Sequence, residues 1–85
     1  MFDVDFSSTA KKFLKKAEKD VAKRIITEIE KLKEDPFPKD VKRVVNCKEK
    51  VFRVRVGDYR IQYSLFYDRN LLFVSDIDKR ARAYD

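Results

Sequence analysis

Three arginines lie close together on two segments in which polar and apolar residues alternate. Arg53 and Arg55 precede the dipeptide Gly57-Asp58, and Arg60 follows it. Guanidinium groups are permanently charged and bind phosphate or carboxylate oxygens bidentately. Such a cluster is therefore suited to holding an anion and to stabilising negative charge that develops during a reaction. It cannot supply a general base, because arginine stays protonated in proteins.

The Gly57-Asp58 dipeptide predicts how these arginines meet. Glycine at the first central position of a two-residue hairpin loop favours a type II′ turn. The turn sets the register, which pairs Arg55 directly with Arg60. The remaining pairs are Val56–Tyr59, Val54–Ile61, Arg53–Gln62 and Phe52–Tyr63. One face of the hairpin is then apolar, and the other carries the three arginines and Gln62.

Like charges directly opposite each other destabilise a sheet, so we expect an anion to bind at this face. The alternative is a solvated face on which the arginines pair with acidic side chains, with Glu49, Asp76 and Asp78 as candidates. Asp76 and Asp78 share a strand face at i, i+2. They could hold Mg²⁺ for phosphodiester hydrolysis, but we favour the interpretation that they orient arginines.

The positive charge is concentrated in the middle of the chain. The net charge is +6, and residues 42–60 hold seven basic and two acidic side chains, a net of +5. Residues 1–35 hold nine basic and eight acidic side chains, so the lysine-rich helices are almost neutral. A localised basic patch favours a polyanionic partner, either a nucleic acid or an acidic protein.

Composition excludes several classes of protein. With 85 residues, 44% of them hydrophobic, we expect one domain spanning residues 1–85. A single cysteine, Cys47, excludes an internal disulfide and is typical of a reducing, cytoplasmic location. With that cysteine and no histidine, we expect no zinc site. We also expect no signal peptide and no membrane span, since no apolar run approaches about 18 residues.

The hydrophobic pattern predicts two helices and five strands. The predicted elements are a strand at 2–6, a helix capped by Ser7-Ser8, a break at 18–20 with Asp20 as the next N-cap, a second helix ended by Asp35-Pro36, and strands at 42–46, 50–56, 59–67 and 71–78. The apolar stripe of the second helix is expected at Val21, Ile25, Ile29 and Leu32, and Ala22 and Ile26 are expected to widen it. The order β-α-α-β-β-β-β predicts an α+β domain of two layers, a helical hairpin packed on one face of a mainly antiparallel sheet.

Two motifs resemble a known family. They are Val56-Gly-Asp-Tyr-Arg-Ile-Gln-Tyr-Ser64 and Asp78-Lys-Arg-Ala-Arg-Ala-Tyr84. With the helical hairpin that ends at Glu34-Asp-Pro36, they resemble the RelE branch of the RelE/ParE toxin superfamily, most closely its archaeal members. The likeness covers nearly the whole chain, and the hairpin motif is the more specific of the two.

The resemblance implies a toxin of a toxin–antitoxin pair. RelE-type toxins enter the ribosomal A site and cleave mRNA without a metal or another cofactor. The neighbouring 2′-hydroxyl attacks and a 2′,3′-cyclic phosphate forms. A RelB-type antitoxin wraps the toxin and blocks it. The expected partners are thus an antitoxin, the ribosome and mRNA, with no membrane and no specific DNA contact.

The resemblance also implies roles for individual residues. Arg60 matches the arginine that the family places against the scissile phosphate, and Arg53 and Arg55 fall where bacterial relatives carry two functional lysines. Arg80 matches a functional tail arginine, with Arg82 as the alternative two residues on. Tyr84 falls near the C-terminal tyrosine that stacks on the substrate base. Further RNA contacts are expected from Lys48, Lys50, Gln62, Lys79 and Arg82.

Proton transfer has no clear donor or acceptor in this set. The titratable candidates near the arginines in sequence are Lys48, Lys50, Lys79 and Tyr84. A lysine among arginines would have a lowered pKa, which helps it act as a base. We expect catalysis by orientation and electrostatics, with proton transfer weak or supplied by the ribosome.

Two other functions use the same fold. A ParE-like toxin would bind and inhibit DNA gyrase, and would not need arginines arranged for RNA scission. A decayed toxin would bind its antitoxin without cleaving RNA, although the intact Arg53–Arg55–Arg60 cluster argues against decay.

Overall fold

A computed structural model describes residues 1–37, 42–43 and 51–79. Its elements are β1 (Asp3–Phe6), α1 (Ser8–Lys16), α2 (Lys19–Glu34), β2 (Lys42–Arg43), β3 (Val51–Val56), β4 (Tyr59–Phe66), a 3-10 turn (Tyr67–Arg69) and β5 (Leu71–Lys79). This order confirms the predicted β-α-α-β-β-β-β arrangement and the α+β class. The part of the expected 42–46 strand that follows Arg43 lies outside the described residues.

The strands form one sheet in the order β1-β5-β4-β3-β2. β1 runs parallel to β5, and the other neighbouring pairs are antiparallel, so the sheet is mainly antiparallel as predicted. Backbone hydrogen bonds fix both ends of β1. The Asp3 amide donates to the Asn70 carbonyl (2.9 Å), and the Ser7 amide donates to the Val74 carbonyl (2.9 Å).

Ser7 begins α1 and also ties it to the sheet. Its Oγ accepts a hydrogen bond from the Ala10 amide (3.1 Å), the expected N-cap contact. The same hydroxyl donates to the carbonyl of Ser75 in β5 (2.7 Å). One side chain therefore sets both the start of the helix and its position against β5.

The second helix begins earlier than predicted. Its N-cap is Glu18 rather than Asp20, because the extended backbone is confined to Ala17 and Glu18. Asp20 lies in the first turn, where its negative charge interacts favourably with the helix dipole. The helix ends at Glu34 as expected, since Pro36 disfavours a helical conformation at the residue before it.

Three strand boundaries also differ by one residue from the prediction. β1 begins at Asp3, β4 ends at Phe66 because Tyr67 starts the 3-10 turn, and β5 continues to Lys79. Asn70 ends that turn in the left-handed region (φ 51°), which asparagine tolerates better than most residues.

The core lies between the helices and one face of the sheet. Its fully buried members are Ala10, Ile25, Ile29, Leu32, Val54, Ile61, Tyr63, Leu72, Val74 and Ile77. The predicted stripe of α2 is confirmed at Ile25, Ile29 and Leu32 but was wrong at Ile26, which is 39% exposed. Because both helices pack on this face, the opposite face of β3 and β4 carries the alternate, polar residues.

Tyr63 is the largest fully buried side chain, and its hydroxyl donates to the carbonyl of Pro36 just beyond α2. Burial raises the pKa of Tyr63 well above its ordinary value. The negative charges of Asp35 and Glu28 and the nearby Tyr67 raise it further. The neutral phenol is therefore the form that the folded chain holds.

Candidate functional site

The hairpin between β3 and β4 has the predicted turn and register. Gly57 has φ +60°, and among the described residues Asn70 is the only other one with a positive φ, so Asp58 has a negative φ. This combination is a type II′ turn. The strand register pairs Arg55 with Arg60 and Arg53 with Gln62, as the sequence predicted.

We call the sheet surface that carries Arg53, Arg55, Arg60 and Gln62 the arginine face. These residues alternate with core residues and therefore point away from the helical layer. Arg55 is exposed, whereas Arg53, Arg60 and Gln62 are half-buried. The structure thus brings together four of the residues predicted to contact RNA.

The adjacent strand β5 adds two carboxylates to the arginine face. Asp78 is paired with Arg60, and Asp76 is paired with Gln62. Across the three strands this produces two rows of side chains, Arg55–Arg60–Asp78 and Arg53–Gln62–Asp76. The arginine face is therefore basic on its β3 side and acidic on its β5 side.

Arg60 and Asp78 form an ion pair. Nε of Arg60 lies 3.4 Å from Oδ1 of Asp78, and the two side chains are 20% and 44% exposed. At this exposure, solvent screening limits the contribution of such a pair to the free energy of unfolding to about 1 kcal/mol or less. The pair therefore adds little to the free energy of unfolding.

A β-bulge puts the two carboxylates on this face. The register of β4 with β5 shifts between Gln62 and Tyr63, whose partners are Asp76 and Val74, so Ser75 is the extra residue. The bulge changes which face the alternate residues of β5 occupy. Val74 and Ile77 both reach the core, and Asp76 and Asp78 reach the arginine face. The Ser75 hydroxyl donates to the Gln62 carbonyl (3.2 Å) and helps to hold the bulge.

Sequence reasoning missed this bulge, although the apolar spacing carried a signal. Leu72 and Val74 are two residues apart, whereas the next buried residue, Ile77, is three residues further on. A shift from even to odd spacing within one strand indicates an inserted residue. The ion pair of Arg60 with Asp78, by contrast, was among the alternatives that the sequence left open.

Lys79 is not part of the arginine face. It is paired with Tyr59, whose aromatic ring packs against Phe13 of α1. Lys79 and Tyr59 both line a groove of about 560 Å³ between α1, the start of α2 and the end of β5. The predicted RNA contact of Lys79 stays a prediction, and it would have to be made from the helical side of the sheet.

Other predicted site residues lie outside the described part of the chain. They are Lys48, Lys50, Arg80, Arg82 and Tyr84, whose roles in RNA binding and catalysis stay predictions. Cys47, and Glu49 as a candidate partner of the arginines, also lie outside the described residues.

Within the described residues, no three Asp, Glu, Cys or His side chains are grouped closely enough to hold a metal ion. Asp76 and Asp78 share a face, but an oxygen of Asp78 is in contact with Arg60. In the same part of the chain, no helix has the length and apolar character needed to cross a membrane.

The chemistry available at the arginine face is the binding of an oxyanion. Residues directly opposite in an antiparallel pair have Cα atoms about 5 Å apart, so Arg55 and Arg60 can reach the same phosphate group. Two guanidinium groups could neutralise the charge on its non-bridging oxygens.

Comparisons by sequence and by structure agree on which proteins this chain resembles. Residues 4–84 match the family model of the ParE toxin of type II toxin–antitoxin systems, parDE. The chain is 35% identical over 86 positions to a Methanocaldococcus jannaschii protein that is named as the toxin candidate RelE1. The alignment covers 98% of this chain and 94% of that protein.

Solved structures share the fold. The archaeal RelE–RelB complex from Pyrococcus horikoshii OT3 superposes with a TM-score of 0.82 at 24% identity, covering 96% of this chain and 98% of that chain. The isolated E. coli RelE toxin superposes with a TM-score of 0.83 at 18% identity, covering 98% of this chain and 88% of that chain. At these identities, the structural likeness concerns the arrangement of helices and strands.

Proposed function

Because the chain belongs to the family of ParE and RelE toxins of type II toxin–antitoxin systems, we propose that it is a metal-independent endoribonuclease that cleaves mRNA in the ribosomal A site. The observation that carries this proposal is the arginine face, on which Arg55 and Arg60 are directly opposite each other and outside the helical layer. Like charges directly opposite each other destabilise a sheet, and an anion bound between the two side chains would offset that repulsion.

The proposed reaction is an attack by the 2′-hydroxyl on the adjacent phosphodiester. The 2′-oxygen loses its proton and bonds to phosphorus, and the bond to the 5′-oxygen breaks. A 2′,3′-cyclic phosphate remains on the upstream fragment, and the 5′-oxygen takes up a proton and leaves as the 5′-hydroxyl of the downstream fragment. Negative charge develops on the non-bridging oxygens in the transition state, and Arg55 and Arg60 stabilise it. Arg53, on the same strand as Arg55, helps to hold the RNA backbone.

Proton transfer is not assigned to the arginines, since guanidinium groups stay protonated in proteins. The chain contributes orientation and charge stabilisation, and the ribosome constrains the mRNA in the in-line geometry. This division of roles accounts for an enzyme without histidine.

The test is to add the protein to a translating extract and to map the new mRNA ends. We expect codon-phased cuts, and a loss of roughly 100-fold in cleavage rate for Arg60→Ala, as when one charge-stabilising donor is removed. Arg69→Ala is the matched control, because Arg69 is an exposed arginine beyond the other end of β4. An absence of phased cuts, or full activity of Arg60→Ala, would contradict the proposal.

The second candidate is inhibition of DNA gyrase. Residues 4–84 match a family model that is described as the ParE toxin, and this match favours gyrase inhibition. A supercoiling assay with purified gyrase distinguishes the two functions. Inhibition of supercoiling without mRNA cleavage would select the ParE-like function. Absence of growth arrest on expression, with no activity in either assay, would select the decayed toxin.

We also propose that an antitoxin covers the basic surface of this chain. The net charge of +6 and the basic hairpin favour an acidic, partly disordered segment that folds on binding. The structural relative from Pyrococcus horikoshii OT3 is itself a complex of RelE with RelB. A small acidic reading frame beside this one would identify the candidate, and co-purification of the two products would test it.

A further inference from the structure

We propose that Asp78 is a positioning residue that holds the Arg60 guanidinium in the orientation required to contact the scissile phosphate. This inference rests on the proposed mRNA cleavage, and it assigns a role to a residue that does not itself touch the RNA. The ion pair between Arg60 Nε and Asp78 Oδ1 (3.4 Å) is the observation from which it starts.

The neighbours of Arg60 explain why its side chain needs to be positioned. Arg55 on β3 is directly opposite Arg60, and its positive charge repels the Arg60 guanidinium. Asp78 on β5 is directly opposite Arg60 on the other side and attracts it. Arg60 is thus held between a repelling and an attracting partner in one row of the sheet.

The geometry favours positioning over competition with the phosphate. The 3.4 Å separation is longer than a strong charge-assisted hydrogen bond, and Asp78 is 44% exposed. Guanidinium groups have five N–H donors, so a contact at Nε does not exclude a phosphate contact. The role proposed for the Asp78 carboxylate is therefore to orient the guanidinium.

The bulge at Ser75 is the feature that brings Asp78 to the arginine face. Without the inserted residue, regular alternation from Leu72 and Val74 would place Asp76 and Asp78 on the core face. Ser75 is held from two sides, since its carbonyl accepts from the Ser7 hydroxyl and its own hydroxyl donates to the Gln62 carbonyl. Bulges that re-aim side chains in this way are common next to active sites.

The experiment measures single-turnover cleavage of mRNA on programmed ribosomes for wild type, Asp78→Ala and Asp78→Glu. We expect Asp78→Ala to lower the cleavage rate constant about tenfold or more, the order expected when a catalytic group is misplaced by a fraction of an ångström to 1 Å. The ribosome concentration for half-maximal cleavage should change little. Asp78→Glu, which restores a carboxylate, should recover part of the rate.

Asp68→Ala is the matched control, because Asp68 is an exposed aspartate in the 3-10 turn, beyond the end of β4 that is far from Arg60. It should keep the wild-type rate. In an Arg60→Ala background, Asp78→Ala should have no further effect, since Asp78 acts through Arg60. A rate that is unchanged or raised in Asp78→Ala, or an equal loss in Asp68→Ala, would overturn the proposal.

A spectroscopic readout separates failure of this inference from failure of the proposed function. The Arg60 Nε–H resonance in a ¹⁵N correlation spectrum should shift in Asp78→Ala and should not shift in Asp68→Ala. If wild type does not cleave mRNA, the proposed function fails, and the role of Asp78 in cleavage fails with it. If wild type cleaves but the Arg60 resonance is the same in both variants, the positioning role alone is overturned.

Discussion

The hydroxyl of Tyr63 joins the sheet to the segment that follows α2. The ring is fully buried in the core, and the hydroxyl donates to the carbonyl of Pro36. Phe52 packs against the Tyr63 ring, and Phe37 packs edge-on against Phe52. A single residue of β4 thus fixes where the chain leaves the helical layer.

Replacing Tyr63 by Phe should destabilise the protein by about 1–2 kcal/mol, because the Pro36 carbonyl loses its donor while the ring volume is kept. Urea unfolding at neutral pH measures the change. Tyr67→Phe is the control, since Tyr67 is 65% exposed and should change the free energy of unfolding far less. Equal effects of the two substitutions would show that the buried hydrogen bond makes no net contribution to the free energy of unfolding.

Tyr63 should also make stability fall in alkaline solution. Its pKa is raised in the folded chain, chiefly by burial, so the folded protein keeps a proton that the unfolded chain releases near pH 10. The contribution of this group is complete below about pH 10 and is lost as the pH rises above that value. The free energy of unfolding, measured at a series of alkaline pH values, should therefore decrease less steeply with pH for Tyr63→Phe than for wild type.

At the level of elements, the β3–β4 hairpin depends on Gly57. An added Cβ would meet Arg24 Nη1 at 3.7 Å, an ordinary contact, so space is not the constraint. The constraint is the φ of +60°, which costs an L-residue roughly 1–2 kcal/mol.

Gly57→Ala should therefore lower the free energy of unfolding by about 1–2 kcal/mol, while Gly57→Asn should cost less because asparagine tolerates positive φ. Thermal unfolding of both variants measures the difference. Alanine and asparagine variants of equal stability would contradict the backbone argument.

Ser7 links two elements, α1 and β5, through one hydroxyl. Ser7→Ala removes the N-cap contact to Ala10 and the hydrogen bond to the Ser75 carbonyl. We expect a loss of about 1–2 kcal/mol in the free energy of unfolding. Ser8→Ala is the control, because Ser8 is exposed at the first position of the helix. A smaller loss for Ser7→Ala than for Ser8→Ala would disprove the double role.

The hairpin was predictable in detail because local chemistry determines it. Gly57 selects the turn, and the turn alone sets which residues of β3 and β4 are paired. The core face followed from alternation, and the helices followed from their apolar spacing. The sequence therefore predicted the arginine face down to the Arg55–Arg60 pair, because this pairing depends only on nearby residues.

The start of α2 and the bulge at Ser75, which the sequence did not predict, depend on tertiary packing. The start of α2 moved to Lys19 because two extended residues suffice to turn the chain, and no capping side chain marks the site. The bulge at Ser75 is stabilised by Ser7, which is 68 residues away in the sequence. Local propensity does not reveal such a contact. The sequence offered Asp76 and Asp78 as partners of the arginines, but the bulge that brings them to this face required the structure.

At the level of the whole molecule, charge is distributed unevenly across the arginine face. Arginines occupy its β3 side and carboxylates its β5 side. A polyanion is attracted to the first side and repelled from the second. We therefore expect the RNA backbone to lie along β3 and to approach Arg60 from that side.

RNA binding should depend on salt accordingly, since contacts with phosphates release counterions. Arg55→Gln should reduce the slope of log affinity against log salt by about 1, the value for one lost phosphate contact. Arg69→Gln, in the 3-10 turn, should leave the slope unchanged. Fluorescence anisotropy with a single-stranded RNA oligonucleotide over a series of KCl concentrations measures both slopes, and equal slopes would argue against an RNA track along β3.

The parallel pairing of β1 with β5 has a consequence for synthesis of the protein. Asp3–Phe6 are synthesised before their hydrogen-bonding partners, Leu71–Val74, and Ser7 at the start of α1 also bonds to β5. A nascent chain can form neither contact until residues 71–79 have left the ribosomal exit tunnel. The hairpin that pairs Arg55 with Arg60 can therefore form first, and the carboxylates of β5 join the arginine face after it.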